Sequence, residues 1–315
     1  MPENFPIQKI NENKELPKKY ASPEDQFSRP KRIRVGTEDV DVYDVSPENT
    51  KTDIPTVFAP GFSGTPMFHQ QNIIELAKAG RRIISVDSPH GLKNHMVPEE
   101  KNGEYSNVEL AKLSAVIEAL KELQIDKTDV VGHSEGGLYM ALAAYLYPER
   151  FRNMVLVCPA GMIGKDNLFE LVKRNTEKLS AQRQSESART DEDRLAEPLR
   201  DSRIPLNVLL SNIPRSLSSA KAISESDIID MLKELKQKGI NVSVVHGVDD
   251  KVFPMERVQR ETDADTVTGF YSVQGGHNDI YLTPKQYTAA IDAALDALEN
   301  KSRADDSSKN IDPAE

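Results

Sequence analysis

The sequence has no tryptophan and a single cysteine, Cys158, in 315 residues. One thiol cannot build an internal disulfide framework or a cysteine-cluster metal site. No apolar run approaches the roughly 18 residues a membrane-crossing helix needs, so no membrane span is expected. The opening segment, MPENFPIQKINENKELPKK, lacks the apolar core of a secretory signal. Basic residues are in the minority, 40 against 50 acidic, giving a net charge of −10. Such a surface repels phosphate backbones, which argues against broad nucleic-acid binding. The expectation is a soluble cytoplasmic protein, 38% apolar and 29% charged, of one large or two modest domains.

What is present is an alternation of strand and helix signals. Residues 31–45 alternate with period two around a Gly-Thr-Glu-Asp turn. Short apolar runs at 55–59, 82–86, 128–131, 154–157, 242–245 and 270–273 read as strands. Unalternating runs of this kind suit parallel strands buried on both faces. Helical stripes lie between them. One opens at Ser106 with a capping box to Glu109 and carries Leu110, Leu113, Val116, Ile117 and Leu120. Another opens with Thr283 and Pro284 and carries Tyr287, Ile291, Leu295 and Leu298. Strands alternating with helices imply crossover units and a mostly parallel central sheet flanked by helices.

Three segments break the rhythm. Residues 1–30 hold five prolines among polar residues and are expected to be a disordered or loosely docked arm. Residues 162–225 lose the strand signal. Nine basic and nine acidic residues within 165–205 suit a helical, mixed-charge cap inserted into a core of residues 31–161 and 226–299. Residues 300–315 are expected to be a disordered tail.

The feature with chemical content is Gly132-His133-Ser134-Glu135-Gly136-Gly137, directly after a strand and opening an apolar helix. A tight strand-to-helix turn strains the serine backbone and lifts its hydroxyl above the sheet. The chain passes close on both sides, so Gly132 and Gly136 are the residues that fit. A serine needs a base and an orienting group to act as a nucleophile. His277, in Gly275-Gly276-His277 after a late strand, supplies the base. The preceding strand ends in two adjacent acids, Asp249 and Asp250, either of which could orient it. The chain order is serine, acid, histidine.

These motifs resemble the α/β-hydrolase fold superfamily, in particular its cap-bearing, lipase/esterase-like serine hydrolases, over about residues 31–299. The resemblance implies an α/β fold with a helical cap. The segment 247–254 is similar to the family's G-x-x-D-x-x-x-P acid segment, which selects Asp250. Pro60-Gly61-Phe62 stands where the family has its His-Gly-x oxyanion loop, with Pro60 in place of the histidine. The implied oxyanion donors are the backbone N–H groups of Phe62 and Glu135. The implied reaction is hydrolysis of a small-molecule ester or acyl substrate through an acyl-enzyme on Ser134, His277 and Asp250. No cofactor and no metal is implied. The same triad serves amidases and peptidases, carbon–carbon bond hydrolases, acyltransferases and perhydrolases, and the fold also occurs in non-catalytic ligand-binding proteins.

Other residues have plainer readings. His133 is expected to be packed beneath the turn, and Cys158 to be a small buried residue. His69 is expected at a helix start, on the surface or near substrate. Asp166 is a reserve candidate for the acid. The Glu135 side chain is expected in solvent or engaged elsewhere. The cap acids Glu186, Asp191, Glu192, Asp193 and Glu197 suit a solvated face better than an amine site.

Overall fold

The computed structural model describes residues 22–62, 65–89, 105–164, 166 and 213–309. The expected segment 1–21, most of the expected cap and the last six residues lie outside the described residues. Eight strands form one sheet: β1 (Lys31–Val35), β2 (Glu38–Val45), β3 (Thr56–Ala59), β4 (Ile83–Val86), β5 (Thr128–His133), β6 (Phe151–Val157), β7 (Asn241–Gly247) and β8 (Gly269–Val273). Their order is β1-β2-β4-β3-β5-β6-β7-β8. β1 pairs antiparallel with β2, and β2 with β4; every other pairing is parallel.

The central strands β3, β4, β5 and β7 are buried along their whole length because the sheet is covered on both faces. In β5, Val130 packs into one core layer and Val131 into the other; Val244 and Val245 of β7 divide the same way. One layer is closed by α3 (Asn107–Glu122), α4 (Glu135–Leu146) and α6 (Ile229–Gln237). The other is closed by α1 (Pro23–Phe27), α2 (Gln70–Lys78) and α9 (Pro284–Lys309). Three further helices are α5 (Ile213–Glu225), α7 (Met255–Glu261) and α8 (Asp279–Leu282). α4 is apolar all round and is buried over residues 135–144, as a central helix must be.

Six parallel strands put their carboxyl ends on one rim, where α/β sheets assemble their sites. The opposite rim is bound to α9 by ion pairs. The Arg81 side chain is fully buried; its Nε lies 2.6 Å from Asp292 Oδ1, and its guanidinium also pairs with Asp296. Glu299 lies 3.8 Å from Arg152, which grips Asp129 of β5 at 2.9 and 2.5 Å.

Three local expectations need correction. The arm of residues 1–30 is not loose throughout, because Pro23–Phe27 form α1. Ser22 Oγ caps it, accepting from the Asp25 N–H at 3.2 Å. Proline at a first helical position is pre-shaped for the helix, so proline content was a poor guide here. Phe27 is buried against Tyr43, ring centroids 4.7 Å apart, and the Gln26 amide exchanges two hydrogen bonds with the Ser46 backbone. The expected tail 300–315 begins as helix, since α9 runs to Lys309; Ser302 Oγ lies 2.9 Å from the Asn153 side-chain amide, a contact that ties the extra turns to β6. Finally, Ser106 does stand before α3, but its side chain makes no capping bond, and Glu109 is buried elsewhere.

If α1 is part of the folded core, Phe27→Ala removes a fully buried ring. It is expected to lower unfolding free energy by about 3 kcal/mol, read as a reduced denaturant midpoint. A change below about 0.5 kcal/mol would mean that α1 does not contribute to the cooperative unit.

Candidate active site

Ser134 sits between the last residue of β5 and the first of α4 with φ 55° and ψ −120°. That is costly ground for a residue with a side chain. Its backbone is held in place: the N–H donates to Val157 O at 2.9 Å, and its carbonyl accepts from Gly137 and Ala160 at 3.0 and 3.1 Å. The flanking glycines are required by contact. A Cβ on Gly136 would stand 2.2 Å from Ala59 O, and one on Gly132 would stand 2.7 Å from Gly137 Cα. Gly61 is pressed against the turn as well; its Cβ would lie 2.9 Å from Ser134 Cβ. The Pro60–Phe62 loop therefore adjoins the serine.

The three predicted side chains meet. Ser134 Oγ lies 2.9 Å from His277 Nε2, and His277 Nδ1 lies 2.8 Å from Asp250 Oδ2. The structure separates the two acids: Asp249 is exposed, whereas Asp250 is buried. The other Asp250 oxygen, Oδ1, accepts from the N–H groups of Val252 and Phe253 at 2.8 and 3.0 Å. Burial alone would raise this carboxyl. The facing His277 charge, its hydrogen bond, His246 and the Phe253 N–H outweigh burial and hold it well below the usual carboxylate range. Asp250 is thus ionised and aims a fixed charge at the imidazole. The Phe253 ring stands edge-on to His277 at 5.2 Å.

His133 is packed beneath the turn, as expected, and it does more than fill space. Its Nε2 lies 3.0 Å from the His277 carbonyl, so a neutral ring with hydrogen on Nε2 tethers the loop that carries His277. His69 differs from expectation: it is buried, with rings of Phe58, His133 and Tyr281 at 4.9, 5.2 and 5.6 Å. The apolar wall of α2 and α8 draws it in. Asp166 is 3.6 Å from Arg257 and stands apart from the Asp250–His277 pair. Cys158 is buried at the end of β6. Among the described residues, the group of metal-ligating type is Cys158, Asp250 and His277, with one atom from each within 4.8 Å of the others. Two of its members are already joined by a hydrogen bond.

The Glu135 side chain was expected in solvent or engaged elsewhere, and it is engaged. It is fully buried, 2.5 Å from Lys112 Nζ. Sequence reading missed Lys112 altogether. The signal was a lysine placed one residue before Leu113 in the apolar stripe of α3. Tyr139, also missed, directs its hydroxyl to Pro60 O at 3.4 Å; inside an all-apolar helix it carried no distinguishing pattern.

The family model described as the alpha/beta hydrolase fold matches residues 55–284. The chain belongs to the alpha/beta hydrolase fold family. This alpha/beta hydrolase is 26% identical over 265 residues, 81% of its length, to a protein named a candidate non-heme haloperoxidase of Mycobacterium phage D29, 92% of which is covered. A shorter stretch of 104 residues is 34% identical to the 2-hydroxy-6-oxo-6-phenylhexa-2,4-dienoate hydrolase of Comamonas testosteroni, covering 33% of this chain and 34% of that protein. In fold it is similar to a thermophilic esterase from Thermogutta terrifontis, with TM-score 0.57 and 20% identity over 86% of this chain and 99% of that one. It is also similar to the enol-lactonase from Burkholderia xenovorans LB400, with TM-score 0.59 and 16% identity over 84% and 99%. Among the described residues, no helix of this alpha/beta hydrolase is long and apolar enough to cross a membrane.

The buried histidines make a pH prediction. Burial drives the His69 imidazole down to about 3, an effect the neighbouring Asn72 side chain offsets only in part. His133 is driven well below its ordinary value by burial, then by the neighbouring His277 and His69. In the unfolded chain each titrates near 6.5, so below that pH the unfolded state takes up more protons and stability falls as pH falls. The limiting slope is about 1.4 kcal/mol per pH unit for each histidine. His69→Phe is therefore expected to shallow the loss of stability between pH 6.5 and 5, measured by denaturant titration at each pH. An unchanged slope would mean that His69 is not a buried neutral ring.

Proposed function

We propose that this chain is a serine hydrolase that cleaves carboxylic esters through an acyl-enzyme. Ser134 is the nucleophile, His277 the general base and Asp250 the acid that orients it. The observation that carries the reading is the unbroken hydrogen-bonded series from Ser134 Oγ through both ring nitrogens of His277 to Asp250, at 2.9 and 2.8 Å. A charge-fixed imidazole within reach of a hydroxyl at a strained turn is what nucleophilic activation needs.

In the first step His277 Nε2 takes the hydroxyl proton as Ser134 Oγ bonds to the ester carbonyl carbon. Negative charge moves to the carbonyl oxygen, held by the backbone N–H groups of Phe62 and Glu135. Asp250 stabilises the imidazolium. His277 then returns the proton to the leaving alcohol as the carbon–oxygen bond breaks. Water repeats the sequence on the acyl-serine and releases the acid. The substrate is a small ester or acyl compound. The family membership and the fold shared with proteins named esterases and an enol-lactonase support hydrolysis of this bond type.

The local match to a dienoate hydrolase favours one second reading, cleavage of a carbon–carbon bond beside a ketone by the same residues. The two are separated by comparing p-nitrophenyl esters of graded chain length with a 2-hydroxy-6-oxo-dienoate. A larger kcat/KM on the esters is expected; a larger value on the dienoate would replace the ester reading. Ser134→Ala is expected to lower ester turnover by about 10⁴–10⁶ and to abolish labelling by a fluorophosphonate. A Ser134→Ala protein that keeps a tenth of wild-type turnover would remove Ser134 from the mechanism.

A further inference from the structure

α3, the first turn of α4 and α5 enclose a polar cluster that the mechanism above does not use. Lys112 reaches in from α3. Its Nζ stands 2.5 Å from Glu135 Oε1, 3.3 Å from Ser219 Oγ and 4.0 Å from Glu109 Oε1, and 5.8 Å from the centre of the Tyr139 ring. The Lys112, Glu109 and Glu135 side chains are 6%, 3% and 0% exposed. Buried charge is costly unless it is balanced and hydrogen-bonded. Here Lys112 faces two carboxyls, and Arg215 of α5 adds a second positive charge that acts on both. Burial, then the neighbouring Glu135, raises Glu109 well above the ordinary carboxylate range. Burial would raise Glu135 too, but Lys112, Glu109 and Ser219 outweigh it and keep it ionised.

The partners of Lys112 matter because of what their main chains carry. Glu135 is the residue after Ser134, and its N–H is one proposed oxyanion donor. Tyr139 lies one turn further along α4, and its hydroxyl donates to the carbonyl of Pro60, two residues before the other proposed donor, Phe62. Both arms of the hole are thus reached from one ammonium group. We propose that Lys112 is a positioning residue of the oxyanion hole, fixing the main chain at Glu135 by charge and the Pro60–Phe62 loop through the Tyr139 ring. This rests on the serine-hydrolase reading. A stability role alone would not require the charges, since apolar groups of equal volume often replace a buried ion pair at no loss.

The test uses the full chain with p-nitrophenyl acetate as substrate and an alkyl trifluoromethyl ketone as a tetrahedral mimic. Lys112→Met is expected to lower kcat about ten- to a hundredfold while KM changes less than about threefold, as loss of transition-state positioning should. Inhibition by the ketone is expected to weaken in proportion to kcat/KM. Glu109→Gln keeps a hydrogen at that position and is expected to hold kcat within about threefold. Should Lys112→Met fail to fold, the doubly neutral Lys112→Met/Glu135→Gln variant replaces it, and the kcat deficit is expected to persist there. The proposal is overturned by a Lys112→Met enzyme with kcat near wild type. It is equally overturned by a double variant that regains full kcat, which would trace the loss to an unpaired carboxylate. Wild-type protein that neither turns over the ester nor reacts with a fluorophosphonate would instead defeat the serine-hydrolase reading.

Discussion

The backbone at Ser134 is held where a side chain is unwelcome, at φ 55° and ψ −120°, and most of what surrounds it exists to keep it there. Three backbone hydrogen bonds, to Val157 of β6, Gly137 of α4 and Ala160 just beyond β6, clamp the residue. Glycines at 132 and 136 let the crossing chains approach within distances no Cβ would tolerate. The gain is directional. A hydroxyl raised on this turn stands free of the sheet, at the start of a helix whose dipole favours negative charge. His277 and Asp250 come from loops after β8 and β7, so their meeting with Ser134 depends on strand order rather than on sequence distance.

The sheet divides the molecule's polar investment between two rims. At one, Ser134, His277 and Asp250 converge with ordinary hydrogen-bond lengths. At the other, Arg81, Arg152 and Asp129 bind the acids of α9 and close the bottom of the core. The two networks sit at opposite ends of the parallel strands, with the apolar core between them. Rigidity at the lower rim lets the upper one hold strain without the helices drifting apart.

Much of this could be read from residue order. The strand runs, the helical stripes and the serine turn lay where period and punctuation put them, because a doubly covered parallel sheet leaves little freedom in its composition. Ser134, His277 and the glycines were legible from local geometry, whereas the choice of Asp250 over Asp249 needed a family pattern. What escaped reading were effects of tertiary contact. Phe27 gave no periodic signal because α1 is only five residues long. The chain end looked soluble because its anchoring bonds are polar. Lys112 drew no reading and Glu109 read as a capping acid, because a buried ionic cluster has no signature in a one-dimensional pattern. The alternation of α3 marked a buried face but not that charges shared it.

β1 closes one side of the sheet with Lys31, Arg32 and Arg34 turned to solvent and only Ile33 and Val35 turned inward. Arg32 and Arg34 are also engaged with Asp41 and Asp39 of the neighbouring strand. An unpaired strand is a template for accretion, and a row of cations along it repels any like strand that tries to dock. With three charged side chains among its five residues, this margin of the fold offers little apolar surface for a further strand to add to.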